Sequence, residues 1–169
     1  MERVGVEIEK KYIIEMPTVA DMSALAEYTS SEIVQIYLTS AENQTRRVRS
    51  RKYTDRCEYY ETVKIRIDKM SSTEIERDIA KEEFDRLSCD IAAGTRPIIK
   101  TRYTFLYLGQ TFEIDVYPEW KRSCIMETEL DDRERLAKMP PFIKILIDVT
   151  GDKSYSNASM SRAFPAEII

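Results

Sequence analysis

The amino-acid sequence predicts an α+β protein that is mainly antiparallel β: an eight-stranded closed tunnel with a few surrounding helices. Seven segments of strand-forming residues place charged side chains at alternating positions, and most of these segments carry a single sign of charge. A sheet of about eight strands also tends to curl or close. The chain of 169 residues contains neither a repeat nor a linker, so a single domain over residues 1–169 is expected.

The first half of the chain contains five predicted strands and two predicted helices. The first strand, Val6–Tyr12, alternates apolar and charged residues, and Pro17 ends the extended run. Residues Thr18–Tyr28 have Ala, Met and Leu at helical spacing, with Thr18 as a suitable N-cap. The remaining elements of this half are strands at Glu32–Leu38, Thr45–Arg51, Cys57–Ile67 and Thr73–Ile79, and an amphipathic helix at Ala80–Ile91.

The second half continues the same pattern of strands. Leu108-Gly109-Gln110 predicts a hairpin turn between two strands, and Pro118 ends the second of them. The predicted strands are Ile98–Leu106, Thr111–Tyr117 and Cys124–Leu130, with a last extended segment at Phe142–Val149. A short helix is expected to start at Asp131-Asp132-Arg133-Glu134, and a helix or loop capped by Ser or Asn at Ser154–Arg162.

The charged residues of each strand share one face, because side chains at positions i and i+2 point the same way. The acidic pairs are Glu7/Glu9, Glu74/Glu76, Glu113/Asp115 and Glu127/Glu129. The basic sets are Lys11, Arg47/Arg49/Arg51, Lys64/Arg66 and Lys100/Arg102. A solvated flat face with helices behind it is one interpretation, but such a face tends to mix the signs of charge. Sorted signs favour a tunnel in which cations and carboxylates face each other around a polyanion and a metal.

Composition excludes several classes of function. The net charge of −4 argues against a nucleic-acid surface, and no apolar run is long enough to span a membrane. The N-terminus lacks the apolar core of a secretory signal, and three widely spaced cysteines favour a reducing compartment, so a cytoplasmic location is expected. The absence of histidine removes catalytic triads and imidazole zinc sites. A bound metal would have oxygen ligands, which indicates Mg²⁺ or Mn²⁺.

A series of short segments, in a fixed order along the chain, resembles the sequence blocks of one known family. They are Glu7-Ile8-Glu9-Lys10-Lys11, Gln35-Ile36-Tyr37-Leu38, Arg47-Val48-Arg49, Thr62-Val63-Lys64, Glu74-Ile75-Glu76, Lys100-Thr101-Arg102-Tyr103, Glu113-Ile114-Asp115-Val116, Glu127-Thr128-Glu129-Leu130, Asp148-Val149-Thr150 and Tyr155-Ser156-Asn157. In this order they resemble the blocks of the CYTH superfamily, the triphosphate tunnel metalloenzymes, which begin with an ExExK signature. The resemblance covers nearly the whole chain and is greatest to the small bacterial members that cleave inorganic tripolyphosphate.

The resemblance implies a metal-dependent triphosphatase and assigns roles to residues. The implied Mg²⁺ or Mn²⁺ ligands are Glu7, Glu9, Asp115, Glu127 and Glu129. The implied phosphate-binding residues are Lys11, Arg47, Arg49, Lys64, Lys100 and Arg102. The catalytic candidates are Lys11, Glu74, Glu76 and Glu113, and any of these three carboxylates could orient the attacking water. The family usually has Glu-Val-Thr where this chain has Asp148-Val149-Thr150, which leaves the role of Asp148 open. The role of Lys153 is also open.

Other functions are compatible with the same sequence. Class IV adenylyl cyclases and thiamine or nucleoside triphosphatases share the tunnel, so the substrate is the least determined property. A non-catalytic polyphosphate-binding module is a further alternative, although anion binding alone would not favour eight carboxylates in the cavity. An ordinary β-barrel interaction protein is the third. The family is often dimeric, so a homodimer is among the expected states.

Overall fold

The computed structural model describes residues 1–25, 27–130 and 138–168, and within them nine strands form one antiparallel sheet. The strands are β1 (Glu2–Glu15), β2 (Tyr28–Leu38), β3 (Gln44–Lys52), β4 (Cys57–Arg66), β5 (Ser71–Asp78), β6 (Ile98–Tyr107), β7 (Gln110–Val116), β8 (Ser123–Glu129) and β9 (Ile145–Asp148). The helices are α1 (Val19–Ser23), α2 (Lys81–Ser88) and α3 (Asn157–Met160), and a 3-10 turn spans Lys153–Tyr155. The helix predicted to start at Asp131 lies outside the described residues.

The sheet closes on itself through its first strand. The strand order is β5-β4-β3-β2-β6-β7-β8-β1-β9, and a further pairing joins β5 to β1. The N-terminal half of β1 pairs with β5 and its C-terminal half pairs with β8, so that eight strands form a barrel. The short β9 is an addition that lies beside β1 where β5 has ended. The predicted eight-stranded closed fold with a few helices is confirmed.

Backbone hydrogen bonds show how one strand serves three partners. On one edge of β1, the Ile8 carbonyl accepts from the Leu130 amide at 2.8 Å. On the other edge, the Glu9 amide donates to the Met70 carbonyl at 3.2 Å, and the Lys11 carbonyl accepts from the Val149 amide at 3.0 Å. Alternate residues of a strand bond to opposite edges, so β5 and β9 share one edge and β8 has the other.

Two apolar clusters hold the barrel from inside and outside. Inside, Ile13 and Ile125 continue the inward rows of β1 and β8, and they pack with Tyr117, Trp120 and Met160. All five are almost fully buried, so this cluster fills the barrel interior at one end. Outside the barrel, a second cluster includes Met22 of α1, which packs the helix against the sheet. Its buried members are Tyr12, Ile14, Met22, Phe105, Phe112, Ile114, Cys124 and Met126.

Most predicted strands differ from the observed ones by one or two residues at an end, but the first helix was predicted too long. It spans only Val19–Ser23, and its N-cap is Thr18, as predicted, with a reciprocal hydrogen bond to Asp21. The chain from Tyr28 to Ser31 instead begins β2, because it pairs with Phe105 to Arg102 of β6. Tertiary pairing therefore overrides a local helical pattern.

The other local predictions have similar outcomes. The hairpin turn between β6 and β7 has positive φ angles at Leu108 (48°) and Gly109 (76°), as a two-residue turn of this kind requires. The second helix ends at Ser88 rather than at Ile91, because Ile91 forms a β-bridge with Leu38. The C-terminal helix α3 is capped by the Ser156 side chain, which accepts from the Ser159 amide.

Several broader predictions stay predictions. Among the described helices, none has the length and the apolar character that crossing a membrane would need. Cys57, Cys89 and Cys124 are all unpaired thiols. The single domain over residues 1–169 and the homodimer both stay predictions.

The apolar cluster inside the barrel predicts a large effect of one substitution. Replacing Ile125 by Ala should lower the free energy of unfolding by about 2–5 kcal/mol, because it leaves a cavity in a packed interior. The matched control is Ile99→Ala, since Ile99 lies on β6 and is 51% exposed, and its cost should be about 1 kcal/mol or less. Urea denaturation of both variants measures the difference, and equal losses would contradict an interior cluster at this position.

Candidate functional site

The barrel encloses a cavity of about 1350 Å³ whose wall is charged. The predicted site residues that line it are Glu7, Glu9, Arg47, Arg49, Lys64, Glu74, Glu76, Arg102, Glu113, Glu127 and Glu129. Three other predicted residues, Lys11, Lys100 and Asp115, are not on the lining; they lie deeper along the same inward rows, toward the apolar cluster of Ile13 and Ile125. The inward charged rows thus come together in one space, and the apolar cluster described above bounds that space at one end.

The order of strands divides the wall into an acidic side and a basic side. Four neighbouring strands, β7, β8, β1 and β5, carry the carboxylates. On the other side of the barrel, β4, β3 and β6 carry the cations, and β2, whose inward row is uncharged, lies between β3 and β6. We call these the acidic arc and the basic arc. Lys11 of β1 is the basic exception on the acidic arc, where its ammonium lies 3.0 Å from Glu127. A ligand in the cavity therefore meets cations on one side and carboxylates on the other.

On the basic arc, two arginines of β3 have unused hydrogen-bond donors. The Nε atoms of Arg47 and Arg49 are buried and have no hydrogen-bond partner in the described structure. Arg47 lies 3.6 Å from Glu74, whereas the Nη2 atom of Arg49 donates to the Gln35 side chain at 2.6 Å. Burial, together with the nearby charges of Arg47 and Arg102, lowers the pKa of Arg49 to about 10. Buried guanidinium donors without partners are suited to an anion.

The acidic arc crowds carboxylates against each other. Burial raises the pKa of Glu74 to about 7, and a contact with Glu7 adds to this rise. Burial and the charge of Glu7 likewise raise the pKa of Glu129 to about 7. Burial also acts to raise the pKa of Glu127, but the charges of Lys11, Arg102 and Lys100 together outweigh it and the pKa falls to about 2. Like charges held this close are stabilised by a cation placed between them.

Deeper than the cavity lining, beside the apolar cluster, Asp115 binds the two cations of β6. Its Oδ2 atom accepts from Lys100 Nζ at 2.6 Å and from Arg102 Nη2 at 2.8 Å, and its Oδ1 atom accepts from Arg102 Nε at 2.6 Å. Arg102 also contacts Glu113 at the cavity. Burial and the charge of Arg102 lower the pKa of Lys100 to about 7. In this arrangement both oxygens of Asp115 are engaged in holding Arg102, and its part in metal binding stays a prediction.

The carboxylate oxygens of the acidic arc are potential ligands of a divalent metal. Among the described residues, no group of three or more His, Cys, Asp or Glu side chains already has the geometry of a metal site. The available donors on the acidic arc are nonetheless carboxylate oxygens, the ligand type that Mg²⁺ and Mn²⁺ prefer. The Glu74 Oε2 atom is buried without a hydrogen-bond partner, and it lies 3.9 Å from Lys64 Nζ. The chemistry of these donors therefore fits a hard cation.

The sequence did not single out several residues that belong to this site. Gln35 and Tyr37 of β2 support the basic arc, and Tyr37 lines the cavity. Arg51, which the sequence placed in the basic row of β3 without giving it a role in the site, also lines the cavity and is held by the Ser31 and Thr104 hydroxyls at 2.8 and 3.3 Å. The segment containing Gln35 was noticed only as a family block. A lone amide within an apolar strand is the signal that would have drawn attention to it, because a buried amide needs partners.

The two residues with open roles have different positions. Asp148 lies outside the cavity lining, and its carboxylate accepts from the Thr150 amide at 2.9 Å. The Thr150 hydroxyl in turn bonds to the backbone of Lys11 at 3.0 Å, so this turn supports the first strand. Lys153 lines the cavity beside Gly151. Arg66 joins the two loops at that place, because it donates to the carbonyls of Asp68, Lys69 and Gly151.

A closed antiparallel barrel with an acidic arc facing a basic arc is the architecture of the triphosphate tunnel folds, and the predicted resemblance to the CYTH superfamily is confirmed. In particular, the structure is similar to that of the inorganic triphosphatase NE1496, with 27% sequence identity, a TM-score of 0.60, and coverage of 95% of this chain and 97% of that one. Scans against family models and curated proteins return no match.

Two more distant structures share the fold alone. The PH1819 protein from Pyrococcus horikoshii OT3 is 21% identical, with a TM-score of 0.55 over 76% of this chain and 80% of that one. A protein from Bacillus halodurans, provisionally described as an adenylate cyclase, is 13% identical, with a TM-score of 0.53 over 78% and 83% of the two chains. The fold is thus common to proteins with different descriptions.

The buried group of Asp115, Lys100 and Arg102 predicts a strong effect on stability. Asp115→Ala should lower the free energy of unfolding at neutral pH by about 3–5 kcal/mol, because it leaves buried charges without their carboxylate. The control is Asp78→Ala, which removes a half-exposed partner of Arg3 and should cost about 1 kcal/mol or less. Urea denaturation measures both, and a loss at Asp115 no greater than at Asp78 would show that the buried group is not a structural anchor.

Proposed function

We propose that this chain is a divalent-metal-dependent triphosphatase whose substrate is inorganic tripolyphosphate. The observation that carries the proposal is the division of one cavity into two arcs. The basic arc has buried guanidinium donors without partners, and the acidic arc has crowded carboxylates. An anionic chain bound together with a cation satisfies both sides at once. The similarity to the inorganic triphosphatase NE1496 supports the choice of reaction.

The basic arc would bind the substrate. Arg47 and Arg49 would direct their free Nε atoms to phosphate oxygens, and Lys64 and Arg102 would add charge from the flanking strands. In this proposal Lys11 and Lys100, which lie deeper than the cavity lining, do not contact the substrate. Lys11 holds Glu127 through its 3.0 Å ion pair, and Lys100 holds Asp115, which orients Arg102. They therefore position other groups.

The acidic arc would hold the metal through Glu7, Glu9, Glu127 and Glu129, all of which line the cavity. A bound Mg²⁺ or Mn²⁺ supplies Lewis-acid stabilisation of charge on the phosphate oxygens. Lys11 keeps Glu127 ionised at neutral pH, as a ligand must be. Glu9 has the opposite tendency: burial and the charge of Glu127 raise its pKa, and a cation would reverse that rise.

Glu74 is the carboxylate that we select to orient the attacking water. Its Oε2 atom has no hydrogen-bond partner and lies 3.9 Å from Lys64 Nζ. Glu76, by contrast, accepts from Thr62 and Arg3, and the Glu113 Oε2 atom, which also lacks a hydrogen-bond partner, is held in a close ion pair by Arg102. A pKa of about 7 suits a general base at neutral pH. The water oxygen would attack a terminal phosphorus while the anhydride P–O bond breaks, giving phosphate and pyrophosphate, and the water proton passes to Glu74. The arginines stabilise charge on the transferring oxygens.

The same proposal places the protein in the cytoplasm, where its three unpaired cysteines are stable. A cyclase that acts on ATP, a thiamine or nucleoside triphosphatase, and a binding module without turnover remain the alternatives. They differ from the proposed reaction in their products, so one set of assays separates them.

The proposal predicts turnover of tripolyphosphate with a metal requirement. Purified protein should release phosphate from tripolyphosphate in Mg²⁺ or Mn²⁺, lose this activity in EDTA, and turn over ATP and thiamine triphosphate more slowly. Glu9→Gln and Arg49→Ala should each lower kcat/KM by about 100-fold or more. The first change removes a proposed metal ligand, and the second removes a cation that would stabilise charge on the transferring phosphoryl group. Calorimetric titration with Mn²⁺ should show weaker metal binding by Glu9→Gln, a readout that is independent of turnover.

The outcomes discriminate between the alternatives. Formation of cyclic AMP from ATP would assign the chain to the cyclases. Binding of tripolyphosphate with no turnover of any triphosphate would leave the binding module. Absence of both binding and turnover, with Arg49→Ala indistinguishable from wild type, would overturn the proposal.

Adjacent lysines of β1 provide an internal control. Lys11→Ala should lower kcat/KM by about 10–100-fold, because Glu127 loses the ion pair that holds it. Lys10 points to the opposite face of β1, away from Glu127, so Lys10→Ala should leave activity nearly unchanged. Steady-state kinetics of both variants at saturating metal measure this difference. Equal effects at the two positions would show that the alternation of β1 does not determine function.

A further inference from the structure

Gln35 is a fully buried amide on the same inward row of β2 as Tyr37, and it bonds to an arginine of the basic arc. Its Oε1 atom accepts from Arg49 Nη2 at 2.6 Å, and its Nε2 atom donates to the Tyr37 hydroxyl at 3.1 Å. Gln35 lies directly opposite Arg49 in the pairing of β2 with β3, and Tyr37 lies opposite Arg47. The amide oxygen must face Arg49, because the reversed amide would set two N–H donors against each other.

The neutral character of this partner distinguishes Arg49 from the neighbouring cations. Arg47 is paired with Glu74, Lys64 with Glu7, and Arg102 with Asp115. Within the described residues, no carboxylate forms an ion pair with Arg49. The charge of Arg49 is therefore the least neutralised among the cavity-lining cations assigned to phosphate, although its side chain is only 9% exposed.

We propose that Gln35 is a positioning residue that fixes Arg49 through a neutral hydrogen bond and so leaves its full positive charge for a phosphate oxygen. The inference rests on the proposed function, since it concerns how the same cavity binds a triphosphate. One guanidinium edge is held by the amide, and the Nε atom stays without a partner. A carboxylate in place of Gln35 would hold the same edge but would neutralise the charge.

Tyr37 extends the support to the second arginine of β3. Its hydroxyl accepts from Gln35, and it lies directly opposite Arg47 in the pairing of β2 with β3. Gln35 and Tyr37 together therefore face Arg49 and Arg47 as neutral groups of one strand. The spacing between these guanidiniums is then set by the register of β2 and β3, which is fixed by the sheet. Such preorganisation lowers the cost of binding an anion.

The test is the affinity for tripolyphosphate in EDTA, measured by calorimetry so that it requires no turnover. Gln35→Glu should raise Kd by about tenfold or more, because it neutralises the cation that the ligand meets. Gln35→Met keeps a similar volume, removes the hydrogen bond but adds no charge, so it should raise Kd by less than Gln35→Glu does. In an Arg49→Ala background, Gln35→Glu should change Kd by less than about twofold, because its effect acts through Arg49.

The matched control is Gln110→Glu. Gln110 is also a buried amide on a strand, but it bonds to Thr128 on the outer side of the barrel and does not line the cavity. This variant should affect thermal stability without changing Kd. If Gln35→Glu does not fold, a Kd for Gln35→Met equal to that of wild type overturns the proposal, and a raised Kd that disappears in the Arg49→Ala background supports it.

Two results separate this inference from the proposed function. An undiminished effect of Gln35→Glu in the Arg49→Ala background would show that Gln35 acts by packing alone, even if the protein hydrolyses tripolyphosphate. Conversely, binding that shows the expected coupling without any hydrolysis would overturn the triphosphatase and leave the role of Gln35 intact.

Discussion

The constraint on which the rest of the structure depends is that β1 closes the barrel with two different partners. Its first half pairs with β5 and its second half with β8, so the acidic rows of three strands become neighbours. The register sets Glu9 opposite Glu129 and Lys11 opposite Glu127. Closure thus forces carboxylates together, and it is stabilised by backbone pairing along the whole length of β1. The repulsion is local and the compensation is distributed over the sheet.

Depth along the barrel determines what an inward side chain can do. Glu113 and Asp115 point the same way from β7, yet Glu113 lines the cavity and Asp115 is fully buried against Lys100 and Arg102. The cause is the apolar cluster that fills the adjoining end of the interior. Groups beside that cluster have no solvent and must pair with each other, which makes them rigid supports. Groups farther away face open space, where a ligand can replace water.

The sequence predicted the direction of each row but not its depth. Alternation at period two identifies Glu7 and Glu9, or Arg47 and Arg49, as side chains of one face, because it follows from the geometry of a single strand. The sequence could not predict that Arg102 lines the cavity whereas Lys100 lies deeper. That difference depends on the apolar cluster, which includes Trp120 and Met160 from distant parts of the chain. The helix expected at Thr18–Tyr28 was predicted too long for a similar reason: β6 pairs with Tyr28 and makes it part of a strand.

The composition of the wall also bears on which triphosphate fits the proposal. The apolar side chains on the cavity lining are few in the described residues, and Ile67 and Met70 belong to the segment that joins β4 to β5, while Tyr37 is engaged with Gln35. An aromatic base or thiazole would gain little from such a wall, because stacking and burial need apolar partners. A small polyanion with a cation uses both arcs completely. Selection would then depend on charge density, with the register of β2 and β3 setting the spacing of the guanidiniums and the closure of β1 setting the spacing of the carboxylates.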